Sequence, residues 1–341
     1  MKAVAIKDVK KLEVIEVEEP KADLENVLIA VKKSGICGSD IHNWDSGAPT
    51  DLVMGHEFSG VVIDPGSRED LEEGDRVTAL PISPCGKCHA CLKGNPQFCE
   101  HTWDNAVGLA VTNPGGYAPM LKVRPDMVIK LPNVVSFDEG AMVEPIAVSL
   151  HAIHLADIKV GDKVLVVGGG IIGLACAMFA KEEGASIVVL SETNDLRGKK
   201  GLSLNVCDKY LNPTNPKYQE EINKIVPEGF DVVIDAVGNS PAVSSALMAA
   251  KTGGTVVLVG VSSKPIEIPT VLAVLHELNV KGAIAYTKEE FETVIDLIAY
   301  NKIDAKKFID DIVPLQRVQE SFERLTSGKD EAIKILIDPN K

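Results

Sequence analysis

Along the first 140 or so residues, apolar and polar positions alternate in short runs. VLIAVKKSG, EFSGVVID, DRVTALPI and MLKVRPDMVIKLP show the two-residue period of strands with one buried face. Gly, Pro and Asp interrupt these runs at short intervals, which predicts a barrel-like, β-rich domain over residues 1–145. Near residue 145 the pattern changes. KVLVVG, SIVVL, FDVVIDAVG and TVVLVGV are continuous apolar runs, with IIGLACAMFAKEEG, a stretch through Lys200, PKYQEEINKIV and SPAVSSALMAAKTGG carrying the helical period between them. A further short strand falls near Lys209 to Leu211. Continuous apolar strands separated by helices predict an α/β fold over 146–285, a doubly wound parallel sheet covered on both faces. From Tyr286 a helix (KEEFETVIDLIAYNK) is followed by a strand in IKILIDP. The pattern does not assign this tail to either domain.

Composition narrows the function. The chain has 341 residues, 45% hydrophobic and 25% charged, the profile of a globular protein of two ordinary domains. A formal net charge of −14 argues against a nucleic-acid partner. No apolar run reaches the roughly 20 residues of a membrane span. The opening MKAVAIKDVKKLEVIEV alternates instead of forming a leader-like apolar block. A cytoplasmic protein is expected, and its seven cysteines are expected to be thiols. Cys176 and Cys207, in apolar contexts, read as small buried side chains.

Four other cysteines carry chemistry. PCGKCHACLKGNPQFC places Cys85, Cys88, Cys91 and Cys99 in a C-x2-C-x2-C-x7-C array. Four soft thiolates so close together suit a tetrahedral structural zinc ion with no open position, in a lobe near 84–100. An iron–sulfur cluster is the other use of such a set. Further along, Gly168, Gly170 and Gly173 form G-x-G-x-x-G between a predicted strand and a predicted helix, the context of a dinucleotide-binding turn, with Ile172 inside it. Glu192 lies 19 residues past Gly173, at the end of the next strand. A carboxylate there accepts from an adenosine ribose 2′-hydroxyl and repels a 2′-phosphate, favouring NAD over NADP. Arg197 is placed to stack on adenine or to attract a 2′-phosphate.

A looser set comprises Cys37 in GICGSD, His56 and Glu57 in MGHEFSG, and Glu144 in MVEPIAV. A thiolate, an imidazole and one or two carboxylates make a mixed zinc set with room for a water or substrate oxygen. Spacing alone does not select these residues, since a buried histidine or a glutamate before proline commonly has only a structural role.

At these residues the chain resembles a known family. GICGSDIH, GHEFSG, GDRV, the CGKC-HAC-C lobe, EGAMVEP, VVGGGIIG and VLVGV stand in the order found in the zinc-containing medium-chain dehydrogenases/reductases, and the resemblance covers nearly the whole length. Glu144 stands where the alcohol dehydrogenases have cysteine, which is similar to the polyol branch. VVLSETNDLR, HELNVKGAIAYTKEEFETVIDLI and SFERLTSGKDEAIKILI look most like (R,R)-2,3-butanediol dehydrogenases.

The resemblance implies a GroES-like catalytic domain over 1–145, a Rossmann NAD-binding domain over 146–285, and the return of 286–341 to the catalytic domain. It implies that Cys37, His56 and Glu144 hold a catalytic zinc ion and that Glu57 approaches it and exchanges with water. Asp40 would orient the ligand histidine, and Ser39 and His42 would relay the proton. Val259, Gly260, Val261, Ala283, Ile284 and Ala285 would line the nicotinamide.

The implied reaction is reversible, zinc-dependent hydride transfer between NAD and a secondary alcohol, with 2,3-butanediol and acetoin the first candidates. Sorbitol or another polyol, a polyol phosphate, or L-threonine are the alternatives. The acidic run NWDSGAPTDLVM, with no basic cluster beside it, speaks against a phosphorylated substrate. A zinc-stabilised cofactor-binding protein without catalysis is a reading of another class, and it has no need of Cys37, Ser39, His42, His56 and Glu144 together. The family forms homodimers or homotetramers, and TVVLVGV would supply a two-fold pairing strand if it formed the sheet edge.

Three departures from the family carry expectations. Gly115-Gly116-Tyr117-Ala118-Pro119-Met120 loses the acid of the usual GG-x-A-E-Y. Ile171 replaces a frequent proline. Gly198 and Gly201, at a cost of about 1 kcal/mol each, predict a frayed helix after Glu192.

Overall fold

The computed structural model describes residues 1–262 and 264–341. The chain divides into two compact units. The first comprises Met1–Pro145, Tyr286–Ser327 and Lys334–Lys341; the second comprises Ile146–Ala285 and Gly328–Ile333.

In the first unit the alternating runs build a sheet whose strands follow the order Asp311–Pro314, Ile335–Asp338, Val27–Gly35, Glu57–Asp64, Arg76–Ala79, Val128–Lys130, with Met120–Val123 also pairing with Val27–Gly35. Alternation buries one face: Val27, Ile29, Val31, Phe58, Val62 and Val77 are enclosed. A separate hairpin pairs Lys2–Asp8 with Lys11–Glu16. The chain's last strand, Ile335–Asp338, runs antiparallel to Val27–Gly35, with Leu336 opposite Gly35 and Ile337 opposite Ser34. This register carries the preceding residue, Lys334, over the end of strand Val27–Gly35, just before Cys37. Helix Gly38–Ser46 follows that strand and ends at Gly47, whose φ of 70° makes the left-handed cap.

The second unit is a six-stranded parallel sheet in the order Lys209–Leu211, Ile187–Ser191, Lys163–Val167, Phe230–Asp235, Ala250–Leu258, Asn279–Gly282. In chain order this reads 3-2-1-4-5-6, the doubly wound Rossmann topology, with its switch point between the first and fourth strands. The apolar runs of the sequence are its central strands, and Leu165, Val189, Phe230, Val233 and Val256 pack in its core with Val243 and Leu247 of helix Ser240–Ala249. The strand TVVLVGV is not the edge. Asn279–Gly282 pairs outside it and takes that place. Its residues NVKG lack the apolar run that would have marked them as a strand.

The helix after Glu192 is formed, from Asp195 to Ser203, against the expectation of fraying. Asn194 caps it, accepting from the Leu196 and Arg197 N–H groups, and donates through Nδ2 to the carbonyls of Gly328 and Asp330. Its glycines are places of close approach. A Cβ on Gly198 would lie 2.1 Å from the Tyr210 ring, and one on Gly201 would lie 2.7 Å from Leu190. Packing outweighs helix propensity at both positions.

In an open helix Gly198→Ala would stabilise by about 1 kcal/mol. Here the methyl group meets the Tyr210 ring, and a loss of about 1–3 kcal/mol is expected, as for other overpacked sites. Thermal unfolding of the variant checks this: the midpoint should fall, and a rise would show that the ring is not seated on Gly198.

Candidate active site

Cys37 closes the turn after strand Val27–Gly35 and stands at the N-terminus of helix Gly38–Ser46. Asp40, one turn on and fully buried, accepts from the Cys37 N–H at 3.0 Å and from the Tyr117 hydroxyl at 2.8 Å through the same oxygen, Oδ2. Its other oxygen faces His56 Nδ1 at 3.5 Å, longer than a formed hydrogen bond, and neither atom has another partner among the described residues. His56 and Glu57 enter where strand Glu57–Asp64 begins.

The ligand atoms of Cys37, His56 and Glu57 lie within 4.8 Å of one another. Glu144 is not in that tight group. Its Oε1 accepts from the Tyr286 hydroxyl at 2.9 Å, in the first turn of helix Val143–Ala156. The Ser39 hydroxyl is 3.5 Å from His56 Nε2. His42, three residues further along the same helix, is exposed.

Charge shapes this cluster. Burial alone would lower His56, but the Asp40 carboxylate and the Cys37 thiolate outweigh it and hold the imidazole well above its ordinary range. Burial pushes Glu144 up to about 7, with His56 pulling it down and Glu57 pushing it up. The groups crowd together without enough positive charge, so they retain protons that a cation would displace. A borderline cation such as zinc fits this thiolate, imidazole and carboxylate set. With His56 Nε2 as ligand, its Nδ1–H would meet the waiting Asp40 oxygen.

The four-cysteine lobe stands apart in chemistry. Its sulfurs also lie within 4.8 Å of one another. Backbone N–H groups point at them: Cys85 to the Cys99 sulfur and Cys88 to the Cys85 sulfur at 3.3 Å, His101 to the Cys99 sulfur at 3.4 Å. The Lys87 and Cys88 N–H groups draw the Cys85 thiol down to about 6. Four such donors complete a tetrahedral set and leave no place for substrate.

In the second unit, Gly168 ends strand Lys163–Val167 with a φ of 105°, and Gly170 caps helix Ile171–Glu182. A Cβ on Gly173 would sit 1.9 Å from the Gly168 carbonyl oxygen, so only glycine lets helix and turn meet. A Cβ on Gly170 would meet nothing within 4 Å, which leaves its backbone approachable. Glu192 accepts from the Gly169 N–H at 2.6 Å and from the Asn194 N–H at 2.7 Å. With Gly168 and Ser191 it lines a cleft of about 340 Å³.

Arg197 does not line that cleft; its Nε donates to the Ala332 carbonyl at 3.0 Å. Ile172 is drawn back too, its carbonyl accepting from the Ser149 hydroxyl. Val259, Gly260, Val261, Ala283 and Ile284 line a second hollow of about 580 Å³. Ala285 lies just beyond it, at a φ of 51° unusual for a residue with a Cβ.

Three contributors went unpredicted. Tyr117 and Tyr286, both fully enclosed, donate to Asp40 and Glu144. Lys334 is 0% exposed and its ammonium pairs with Glu57. A lone lysine inside the apolar run AIKILI was the available signal for the last. Nothing local marks either tyrosine.

Comparison with known proteins agrees with this chemistry. A family model for the alcohol dehydrogenase GroES-like domain matches residues 23–133, and one for zinc-binding dehydrogenases matches residues 172–300. Probable D-xylulose reductase A of Aspergillus clavatus is 35% identical over 92% of this chain and 90% of its own length. Sorbitol dehydrogenase of Bombyx mori is 33% identical over 93% and 92%. The crystal structure of 2R,3R-butanediol dehydrogenase from Bacillus subtilis superposes with a TM-score of 0.87 at 30% identity, over 99% of each chain. Likeness of that extent and depth makes this chain a member of the zinc-containing medium-chain dehydrogenases, an oxidoreductase of their polyol branch.

Proposed function

We propose that the protein interconverts a vicinal diol and its hydroxyketone, with 2,3-butanediol and acetoin the first candidates and NAD(H) the hydride carrier. The observation that carries this reading is a pair of carboxylates: Glu57, grouped with one thiol and one imidazole, and Glu144, which feels the charges of His56 and Glu57. Such a site is harder and more polar than one built on two thiolates, and it suits a substrate with a hydroxyl next to the reacting carbon.

In this reading Cys37, His56 and Glu144 hold the catalytic zinc ion. Zinc supplies Lewis-acid stabilisation of the substrate oxygen, and NAD supplies the hydride acceptor. Ser39, beside His56, takes the hydroxyl proton, and His42, exposed on the same helix, passes it to solvent. Asp40, itself fixed by Tyr117, holds the orientation of His56. Gly168, Gly170 and Gly173 admit the pyrophosphate, Glu192 holds the adenosine ribose, and the hollow at Val259–Val261 and Ala283–Ile284 receives the nicotinamide. The cysteine lobe holds a structural zinc ion.

A second reading, a longer polyol such as sorbitol or xylitol, is favoured by likeness to the D-xylulose reductase and sorbitol dehydrogenase relatives. We also propose a homo-oligomer paired along the edge strand Asn279–Gly282. That strand has no outer partner among the described residues, and Val280 on it is exposed, as are Val271, Val274 and Leu275 of the neighbouring segment.

The substrate assignment is tested by following reduced nicotinamide with NAD against (R,R)-2,3-butanediol, sorbitol, xylitol and L-threonine. Butanediol should give the highest kcat/KM, chelator should abolish turnover, and zinc should restore it. A higher value on sorbitol or xylitol moves the assignment to the second reading, and turnover on none of the four ends it.

Glu192→Ala should raise KM for NAD about ten- to hundredfold, the worth of a charge-assisted hydrogen bond, while leaving KM for NADP unchanged or lower. Equal losses on both cofactors would show that Glu192 only supports the glycine turn.

By light scattering the mass should be at least twice the 36.5 kDa of one chain, and Val280→Asp should lower it. A monomeric wild type would contradict the pairing.

A further inference from the structure

Near its end the chain leaves the first unit at Ser327, gives Gly328–Ile333 to the second unit, and returns to the first at Lys334. Those six residues form no helix or strand. Three of their carbonyls accept from two side chains that follow Glu192. Asn194 Nδ2 donates to the Gly328 carbonyl at 3.2 Å and to the Asp330 carbonyl at 3.0 Å. Arg197 Nε donates to the Ala332 carbonyl at 3.0 Å. Within the segment, Asp330 Oδ1 accepts from the Ala332 N–H at 2.8 Å.

Capping helix Asp195–Ser203 does not account for Asn194. The cap uses Oδ1 alone, and serine or aspartate would serve as well. The amide nitrogen goes to the tail instead. The main chain of Asn194 has a further task, since its N–H donates to Glu192 Oε1 at 2.7 Å. Glu192 Oε2 accepts from the Gly169 N–H at 2.6 Å. One carboxylate oxygen is thus set by the glycine turn and the other by the position of Asn194. The Tyr210 hydroxyl donates to the Glu192 carbonyl at 3.1 Å, and Asn212 Nδ2 donates to the Thr193 carbonyl at 3.0 Å. Glu192 and Thr193 are therefore fixed to strand Lys209–Leu211 and the residue after it, while Asn194 is fixed to the tail.

We propose that Asn194 is a positioning residue for the cofactor. By holding Gly328–Ile333 it sets the Glu192 carboxylate for the adenosine ribose, so that seating of the tail and binding of the dinucleotide favour one another. The proposal rests on the reading of the cleft at Gly168, Ser191 and Glu192 as the adenosine end of the NAD site. Such coupling is reciprocal: the factor by which the seated tail raises cofactor affinity is the factor by which the cofactor stabilises the seated tail.

The test uses the full-length protein and ADP-ribose, which carries the adenosine end without the nicotinamide. Asn194→Ser keeps a helix cap and removes both Nδ2 hydrogen bonds. Its dissociation constant for ADP-ribose, by calorimetry, should rise about tenfold, the worth of one or two neutral hydrogen bonds. In turnover with the alcohol that the enzyme oxidises best, KM for NAD should rise by a similar factor while kcat changes less than about twofold. In the wild type, ADP-ribose should slow hydrogen exchange of the amides in 328–333 about tenfold, and in Asn194→Ser that protection should be lost. Asn194→Asp, which also keeps the cap and lacks the donors, should behave as Asn194→Ser does.

Faster exchange in Asn194→Ser with an unchanged dissociation constant overturns the proposal, because Asn194 would then only anchor the tail. A loss of affinity in Asn194→Asp that Asn194→Ser does not share also overturns it, since the added charge would be the cause. Should neither variant fold, the wild type decides, and exchange in 328–333 that ADP-ribose leaves unchanged counts against the coupling. Wild-type affinity for ADP-ribose in Glu192→Ala would instead end the reading of the cleft, and the proposal with it.

Discussion

Buried charge is the constraint on which the first unit depends. Asp40, Glu57 and Glu144 are all buried, Glu57 grouped with Cys37 and His56, Asp40 facing His56 and Glu144 acted on by the charges of His56 and Glu57, and His56 and Lys334 are the positive partners among them. With the thiol ionised, the acids would carry four negative charges against one on Lys334 and at most one on His56. Such an excess is not tolerated in a low-dielectric interior unless protons or a cation neutralise it. Protons are one answer, and the upward shifts of His56 and Glu144 express it. A divalent cation is the other, and it releases those protons as it binds. The same clustering that is costly without metal is therefore what selects for one.

The two cysteine-bearing sites divide the work by how many donors they offer. The lobe at Cys85 to Cys99 gathers four sulfurs from one short stretch and is complete in itself. The cluster at Cys37 draws on the end of one strand, the start of another, a helix start and the chain's tail, and its donors differ in hardness. Each piece is set by a regular element, so the positions are fixed before any metal arrives. A strand end places Cys37, the pairing of Val27–Gly35 with Glu57–Asp64 sets Glu57 opposite Gly35, and Tyr286 fixes the carboxylate of Glu144.

Much of this was legible in the chain, because the signals were local. Period-two alternation gave the β-rich region, and continuous apolar runs gave the central strands of the parallel sheet. The C-x2-C-x2-C-x7-C array and the glycine turn are short-range patterns whose spacing is the chemistry. What was not legible depends on partners far away in sequence. Asn279–Gly282 is a strand only because Ala250–Leu258 offers it an edge. Gly198 and Gly201 read as helix breakers until Tyr210 and Leu190 are seen against them. Arg197 had a plausible role from its position after Glu192, yet its guanidinium turns to the Ala332 carbonyl, 135 residues on. Resemblance to a family brought Cys37, His56, Glu57 and Glu144 together, which spacing could not; of these the structure groups Cys37, His56 and Glu57, with Glu144 outside the tight set.

The tail shows why that distance matters. Lys334 and Glu57 are 277 residues apart, and the strand that follows Lys334 closes onto Val27–Gly35 from the very end of the chain. Bringing contacts so remote together costs loop-closure entropy that the contacts must offset. Until the tail is in place, Glu57 lacks its cation and the end of strand Val27–Gly35, at Ser34 and Gly35, lacks its neighbour. The carboxylate grouped with Cys37 and His56 therefore meets its cation only in the finished sheet, and the charge balance of the cluster depends on the pairing of the chain's last strand.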